Sequence, residues 1–413
     1  MRGVRPLAWI VVLASVAAAW PSSAWAIPAF ARKYGFNCRM CHVQFPRLND
    51  FGDRFRDNGY HLMGEEATDK DVMDAGVPPV AFRTSIGYFN HDEDNPGSVE
   101  NNDLSEFQID GVDLFAGGVM NRYAGFFLAY LPRIEGGRGV APQDASLEQG
   151  NVVLITRQQK WMGNLRVGRF EPAYVPISAL RSYTRAPYEA LEFGGVAGLP
   201  LAQTQTGIEA VARLNPGWRF AGGFVNGPDS LVSSDSPSTL YLRASKAWCG
   251  EGASSGYRVG AQGLTGKARA DNGGPKQDWS GWGLDTSLIF GPVTVLAQYV
   301  RGTADAALNP FGALPAPGGG YVGGPDYKWN GWLVEVDGSV SQTAVAFVRY
   351  GAVDTPSEQS QDIGRWTIGA RQYLADHMAL GVEYSHQTID RGAADGVSDF
   401  KANDFAVYFD MAF

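Results

Sequence analysis

The chain has 413 residues, with 43 acidic against 34 basic side chains, a formal net charge of −9, 52 glycines and three cysteines. The acidic balance argues against nucleic acid or anionic lipid as a partner, and three cysteines in so long a chain exclude a disulfide framework. Past the N-terminus no run of 18 apolar residues occurs, so no helix spans a membrane.

Residues 1–26 read as a secretory signal peptide. Arg2 and Arg5 form the basic region, Leu7 to Trp20 the apolar stretch, and Ala24-Trp25-Ala26 the cleavage site. The mature chain then starts at Ile27, outside the cytoplasm. Soon after comes Cys38-Arg39-Met40-Cys41-His42, the C-x-x-C-H attachment signature of c-type haem. The thiols of Cys38 and Cys41 are expected to bind one haem covalently, and His42 to ligate its iron from one axial side. The competing reading is a disulfide or half a zinc site. Zinc needs about four ligands, and the third cysteine, Cys249, is over two hundred residues away. It is left as a bystander.

Phe45, Leu48, Phe51 and Phe55 recur at helical spacing, which predicts an amphipathic helix over 46–58, with Pro46 near its start and Asn58-Gly59 at its end. Its apolar stripe is expected to pack on the porphyrin; the alternative is packing on the barrel wall. His61 and Met63 follow, and a chain reversal could return either to the iron as sixth ligand; the bland reading is an ordinary loop. Segment 27–79 is too short to wrap a haem as an independent domain.

From residue 80 the chain is a train of strand patterns. In the last, Phe405, Val407, Phe409, Met411 and Phe413 share one face, while Asp404, Ala406, Tyr408, Asp410 and Ala412 share the other. Met378, Leu380, Val382 and Tyr384 stand against Glu383, Ser385 and Gln387 in the same way. Trp332, Val334 and Val336 stand against Glu335 and Asp337. Such alternation suits a membrane barrel or a soluble sandwich. Connection lengths separate the two. About sixteen strands are expected, starting near 80, 106, 121, 148, 164, 204, 217, 238, 256, 279, 292, 328, 342, 364, 377 and 400. Short turns alternate with longer links such as 92–105, 177–203 and 303–327. That is the pattern of outer-membrane barrels, with short periplasmic turns and long external loops. The expectation is an all-β, transmembrane antiparallel barrel over 80–413, with both termini periplasmic and 27–79 a small helical haem plug in its lumen.

Weaker candidates lie on this frame. His91-Asp92-Glu93-Asp94, read as part of the first external loop, could hold a divalent cation. Arg349 and Arg371 fall on the polar phase and could meet haem propionates; ordinary lumen polarity is the alternative. His377 falls in a turn and His386 on the outward phase.

Ile27-Pro28-Ala29-Phe30-Ala31-Arg32-Lys33, the C-x-x-C-H motif, Pro46-x-Leu48-Asn49-x-Phe51-Gly52, Phe55 and Asn58-Gly59-Tyr60 together resemble the fused monohaem cytochrome–porins, which include outer-membrane iron-oxidising cytochromes. The likeness is dense over 27–60 and architectural beyond. It implies a bacterial outer-membrane conduit with one covalent haem c, passing electrons between an extracellular partner such as ferrous iron and a periplasmic electron carrier. The alternatives are a diffusion porin whose haem-bearing plug seals or regulates the pore, and a haem enzyme such as a peroxidase. No catalytic residue is assigned.

Overall fold

The computed structural model describes residues 29–36, 40–44, 47–63, 79–94, 103–132, 146–174, 184–192, 204–226, 239–249, 255–268, 277–305, 327–355, 361–375, 377–391 and 399–412. Residues 1–26, read from the sequence as a signal peptide, and Cys38, Phe45, Pro46 and Phe413 lie outside them. In chain order the elements begin with α1 (Ala29–Tyr34), the two-stranded ribbon β1 (His42–Gln44) and β2 (Arg47–Leu48), and α2 (Asp50–Asp57). There follow β3 (Val80–Asp94), β4 (Leu104–Asn121), β5 (Ala124–Leu131), β6 (Ser146–Gln158), β7 (Trp161–Phe170) and the short helix α3 (Glu189–Glu192). Then come β8 (Gln205–Leu214), β9 (Trp218–Val225), β10 (Thr239–Cys249), β11 (Ser255–Ala268), β12 (Gln277–Phe290) and β13 (Val293–Ala304). The last five are β14 (Tyr327–Ser339), β15 (Ala344–Asp354), β16 (Gln361–Ala375), β17 (Met378–Arg391) and β18 (Phe400–Ala412).

Strands β3 to β18 close into one sixteen-stranded antiparallel barrel in sequence order. The seam joins β18 to β3, with Lys401 opposite Asp94 and Ala412 opposite Arg83. Each strand begins within three residues of its expected start. Closure leaves no edge strand, as a membrane-spanning sheet requires.

The burial pattern decides between barrel and sandwich. Large apolar side chains on the outward phase are bare: Phe107 is 84% exposed, and Leu242 and Ile368 are also exposed. On the inward phase Glu335, Asp337, Arg349, Arg371 and Glu383 are buried. A soluble sandwich would show the reverse; this inside-out arrangement is what a lipid-facing wall needs.

Turns 122–123, 159–160, 215–217, 291–292 and 340–343, with His377 between the last short-linked pair, gather at one mouth. The strand ends joined by the longer links, among them 95–103, 171–204 and 305–326, lie at the other. One long link departs from expectation. Of the stretch read as an external loop over 177–203, residues 184–192 fold into the lumen. Arg349 Nη1 donates to Thr184 Oγ1 at 2.7 Å and its Nη2 to Ala186 O at 2.6 Å. Glu383 accepts the N–H groups of Arg185 and Ala186 at 3.0 and 2.7 Å. Arg365 Nε donates to Glu189 Oε1 at 2.5 Å. Tyr188, Ala190 and Leu191 then pack among inward-facing Trp329, Leu333, Val353 and Ile363. The inner wall therefore meets the insert with charge at Arg349, Arg365 and Glu383 and with apolar surface at Trp329, Leu333, Val353 and Ile363.

Candidate functional site

The segment that carries the attachment motif is organised by Asn49. Its Oδ1 caps α2 by accepting the Gly52 N–H at 2.9 Å. Its backbone N–H donates to Cys41 O at 2.9 Å, and its Nδ2 donates to Met40 O at 3.0 Å. One side chain thus starts the helix and docks the motif on it. Gly52 makes the approach possible, because a Cβ there would overlap the Cys41 carbonyl oxygen. The helix begins at Asp50 and not at Pro46, since Arg47 and Leu48 pair with β1 before the cap, His42 lying opposite Leu48. Met40 is exposed, and Cys41 and His42 are half-buried.

The helix stripe has protein partners. Phe55 meets Phe30 edge-on at 5.3 Å and Tyr34 at 5.6 Å; Phe30 stacks on Tyr60 at 4.9 Å. Phe51 lies near Phe55 at 6.5 Å and Phe36 at 5.9 Å. Tyr60 reaches the wall at Phe127, and the cluster continues to Val153 and Ile155. The chain turns back after α2 through Gly59 and Tyr60, both with positive φ. Gly59 lies so close to the wall that a Cβ on Gly125 would overlap its carbonyl.

The acidic face of α2 is held by arginines of the inner wall near the short-turn mouth. Asp57 accepts from Arg213 Nε at 2.6 Å and from Arg219 at 2.8 and 3.1 Å. Burial alone would push the Asp57 carboxyl up; Arg219 and Arg213 outweigh it and hold the group well below the usual carboxylate range. Asn164 Nδ2 donates to Asp57 O at 2.8 Å, and Arg157 Nε to Asn58 Oδ1 at 2.6 Å. Asp53 faces Arg258 at 3.4 Å. On the opposite wall Arg47 bonds to Glu335, to Asp337 at 2.8 Å and to Tyr188 Oη at 3.2 Å. The plug is therefore fastened to the barrel and, through Tyr188, to the lumen insert.

The candidates of the sequence fall unevenly around this seat. His61 is fully buried; its Nε2 lies 2.9 Å from Asn121 O, and its Nδ1 lies 3.0 Å from both Asn58 O and Gly59 O. It ties the plug to the end of β4. Met63 is 58% exposed. Arg349 is engaged by the lumen insert, and Arg371 by Asp410 at 3.2 Å and Tyr408. His91 to Asp94 belong to β3 and not to a loop, and His91 Nδ1 meets Asp404 at 2.6 Å. His386 bonds to Asn403 at 2.9 Å, and Cys249 ends β10. Among the described residues no group of three His, Cys, Asp or Glu is placed to hold a metal ion.

Cys41 and His42 have the donor chemistry that a covalently held c-type haem requires; the apolar stripe of α2 packs on protein, Phe55 being buried in the aromatic cluster. Sequence reasoning missed Asp57, Arg157, Arg213 and Arg219. The available signal was arginine on the inward phase of strands next to short turns.

No protein-family model matches the chain, and no curated protein matches it. Solved structures match over the barrel. An anion-selective porin from Comamonas acidovorans aligns with TM-score 0.57 and 14% identity, over 81% of this chain and 98% of its own. Salmonella typhi OmpF, solved in complex with daunomycin, gives 0.55 and 12%, over 81% and 97%. The outer-membrane channel DcaP of Acinetobacter baumannii gives 0.54 and 12%, over 81% and 96%. The shared feature is the fold: this chain is an outer-membrane-type barrel like those of porins.

Proposed function

We propose that this chain is an outer-membrane electron conduit, in which a plug bearing one covalent haem c closes a porin-like barrel. The observation that carries the reading is the C-x-x-C-H motif, whose Met40 and Cys41 are docked by Asn49 and Gly52 on a helix that the barrel wall holds by buried ion pairs. A c-type haem, when bound, supplies a one-electron couple. The chain's own residues do the rest. Cys38 and Cys41 attach the group and His42 ligates it. The aromatic cluster keeps water from one side of the plug, and the lumen insert narrows the remaining path. A periplasmic carrier at the short-turn mouth and an extracellular partner such as iron at the other belong to the same reading, by resemblance to the cytochrome–porins. Both termini are then periplasmic.

A second reading is a diffusion porin whose plug seals or regulates the pore. The likeness to porins and channels favours it more directly than it favours the conduit. Purified protein separates the two. The conduit requires haem staining after denaturing electrophoresis that Cys38→Ala with Cys41→Ala abolishes, one reversible couple, and little ion flux in planar bilayers. Ion flux with haem in place would establish the porin, and absence of covalent haem in protein made with haem-attachment machinery would remove the conduit.

A further inference from the structure

We propose that the short-turn mouth carries a seat for an anionic phospholipid, set between plug and barrel rim. A cavity of about 220 Å³ lies there. It is lined by Arg54, Asn58 and Met63 of the plug segment and by residues flanking turns 159–160 and 215–217. Four of the lining side chains are cations, Arg54, Arg157, Lys160 and Arg213, and none is a carboxylate. The chain as a whole is acidic, so this mouth reverses the global balance locally.

The other wall of the cavity faces lipid. Trp161 and Trp218 sit on the outward phase of β7 and β9 and are 41% and 42% exposed. Tryptophan at a barrel rim marks the headgroup level. Lys246 marks the same level independently. It lies on the outward phase of β10, under Trp218 at 5.2 Å and Trp248 at 5.6 Å, and donates its ammonium to the Pro216 carbonyl in the turn. A lysine that runs its stem along an apolar face towards the mouth places the polar boundary at that turn. The cavity thus opens where phosphates stand, with guanidinium and ammonium groups on one side and indole on the other. A phosphodiester with acyl chains satisfies both halves: oxygens accept from the cations, and chains lie along the outer wall past Trp161 and Trp218. Such a lipid touches α2 and the rim together and therefore steadies the plug. Such a seat needs no haem and stands apart from the proposed electron transfer.

The test is native mass spectrometry of the full chain from mixed micelles of phosphatidylglycerol and phosphatidylethanolamine, with and without millimolar inorganic phosphate. Wild type should retain phosphatidylglycerol over phosphatidylethanolamine, with phosphate a poor competitor. Arg54→Gln with Lys160→Gln should lower that retention roughly thirtyfold, since two cations are lost from beside the headgroup, while heat-modifiable barrel migration is unchanged. Equal retention of the two lipids by wild type, which requires no variant, would overturn the proposal. Displacement of phosphatidylglycerol by inorganic phosphate would reduce the site to a simple anion site and overturn it as well.

Discussion

At the scale of single residues, Asp57 is tightly constrained. Its carboxylate is buried between two guanidiniums, and removing one partner of such a set leaves uncompensated charge. Asp57→Asn should weaken plug docking by about 3–5 kcal/mol, read as protease cleavage of the plug while the barrel keeps its heat-modifiable migration. The sign of its pH dependence follows from the depressed pKa. The carboxylate stabilises docking fully above its ordinary value near 3.8, and that contribution is lost as pH falls below it. Plug release should therefore be flat from pH 5 to 8 and rise in stronger acid; release beginning near neutrality would point to another group. His61 offers a second check. With both ring nitrogens on carbonyl oxygens, His61→Gln should loosen the plug and leave the haem absorption spectrum of attached protein unchanged. A changed spectrum would instead make His61 an iron ligand.

At the scale of elements, the strands were legible in the sequence and the contents of the lumen were not. Period-two alternation marks the strands because one face must meet lipid, with breaks at bulges such as Thr84–Ser85, and link lengths then set topology and strand count. The helix was legible in kind, but its start was not, because Asn49 acts through the Cys41 and Met40 carbonyls, contacts that no periodicity announces. The insert over 184–192 was illegible for a different reason. In an inside-out protein, Tyr188 and Leu191 in a long link carry no mark telling a lumen-filling segment from an external loop. The pairs Asp57–Arg213 and Arg47–Asp337 join residues over 150 positions apart, so they exist only once the barrel closes. The docking of the motif can be tested through its glycine. Gly52→Val should force α2 away from Cys41 and lower covalent haem yield several-fold by haem staining, with barrel assembly intact.

At the scale of the whole molecule, the barrel is a sheath for two separate inserts. One is the N-terminal plug at the short-turn mouth; the other is the lumen segment of the 171–204 link. Removal of residues 27–79 should leave a barrel that still assembles, since β3 to β18 close without them. Retained heat-modifiable migration in the truncated chain would bear this out. The orientation is checked by single cysteines in link 305–326 and in turn 215–217. In a variant lacking the native cysteines, the first should react with an impermeant maleimide on intact cells and the second should not. The contact of Arg47 with Glu335, Asp337 and Tyr188 ties the two inserts into one circuit of charge, since Arg349 of the same wall holds the lumen segment and lies 3.6 Å from Glu335. A leak through this protein should consequently be all-or-none. Single-channel records of wild type would show rare openings of one large size, without the graded sublevels of two stoppers that come out one at a time.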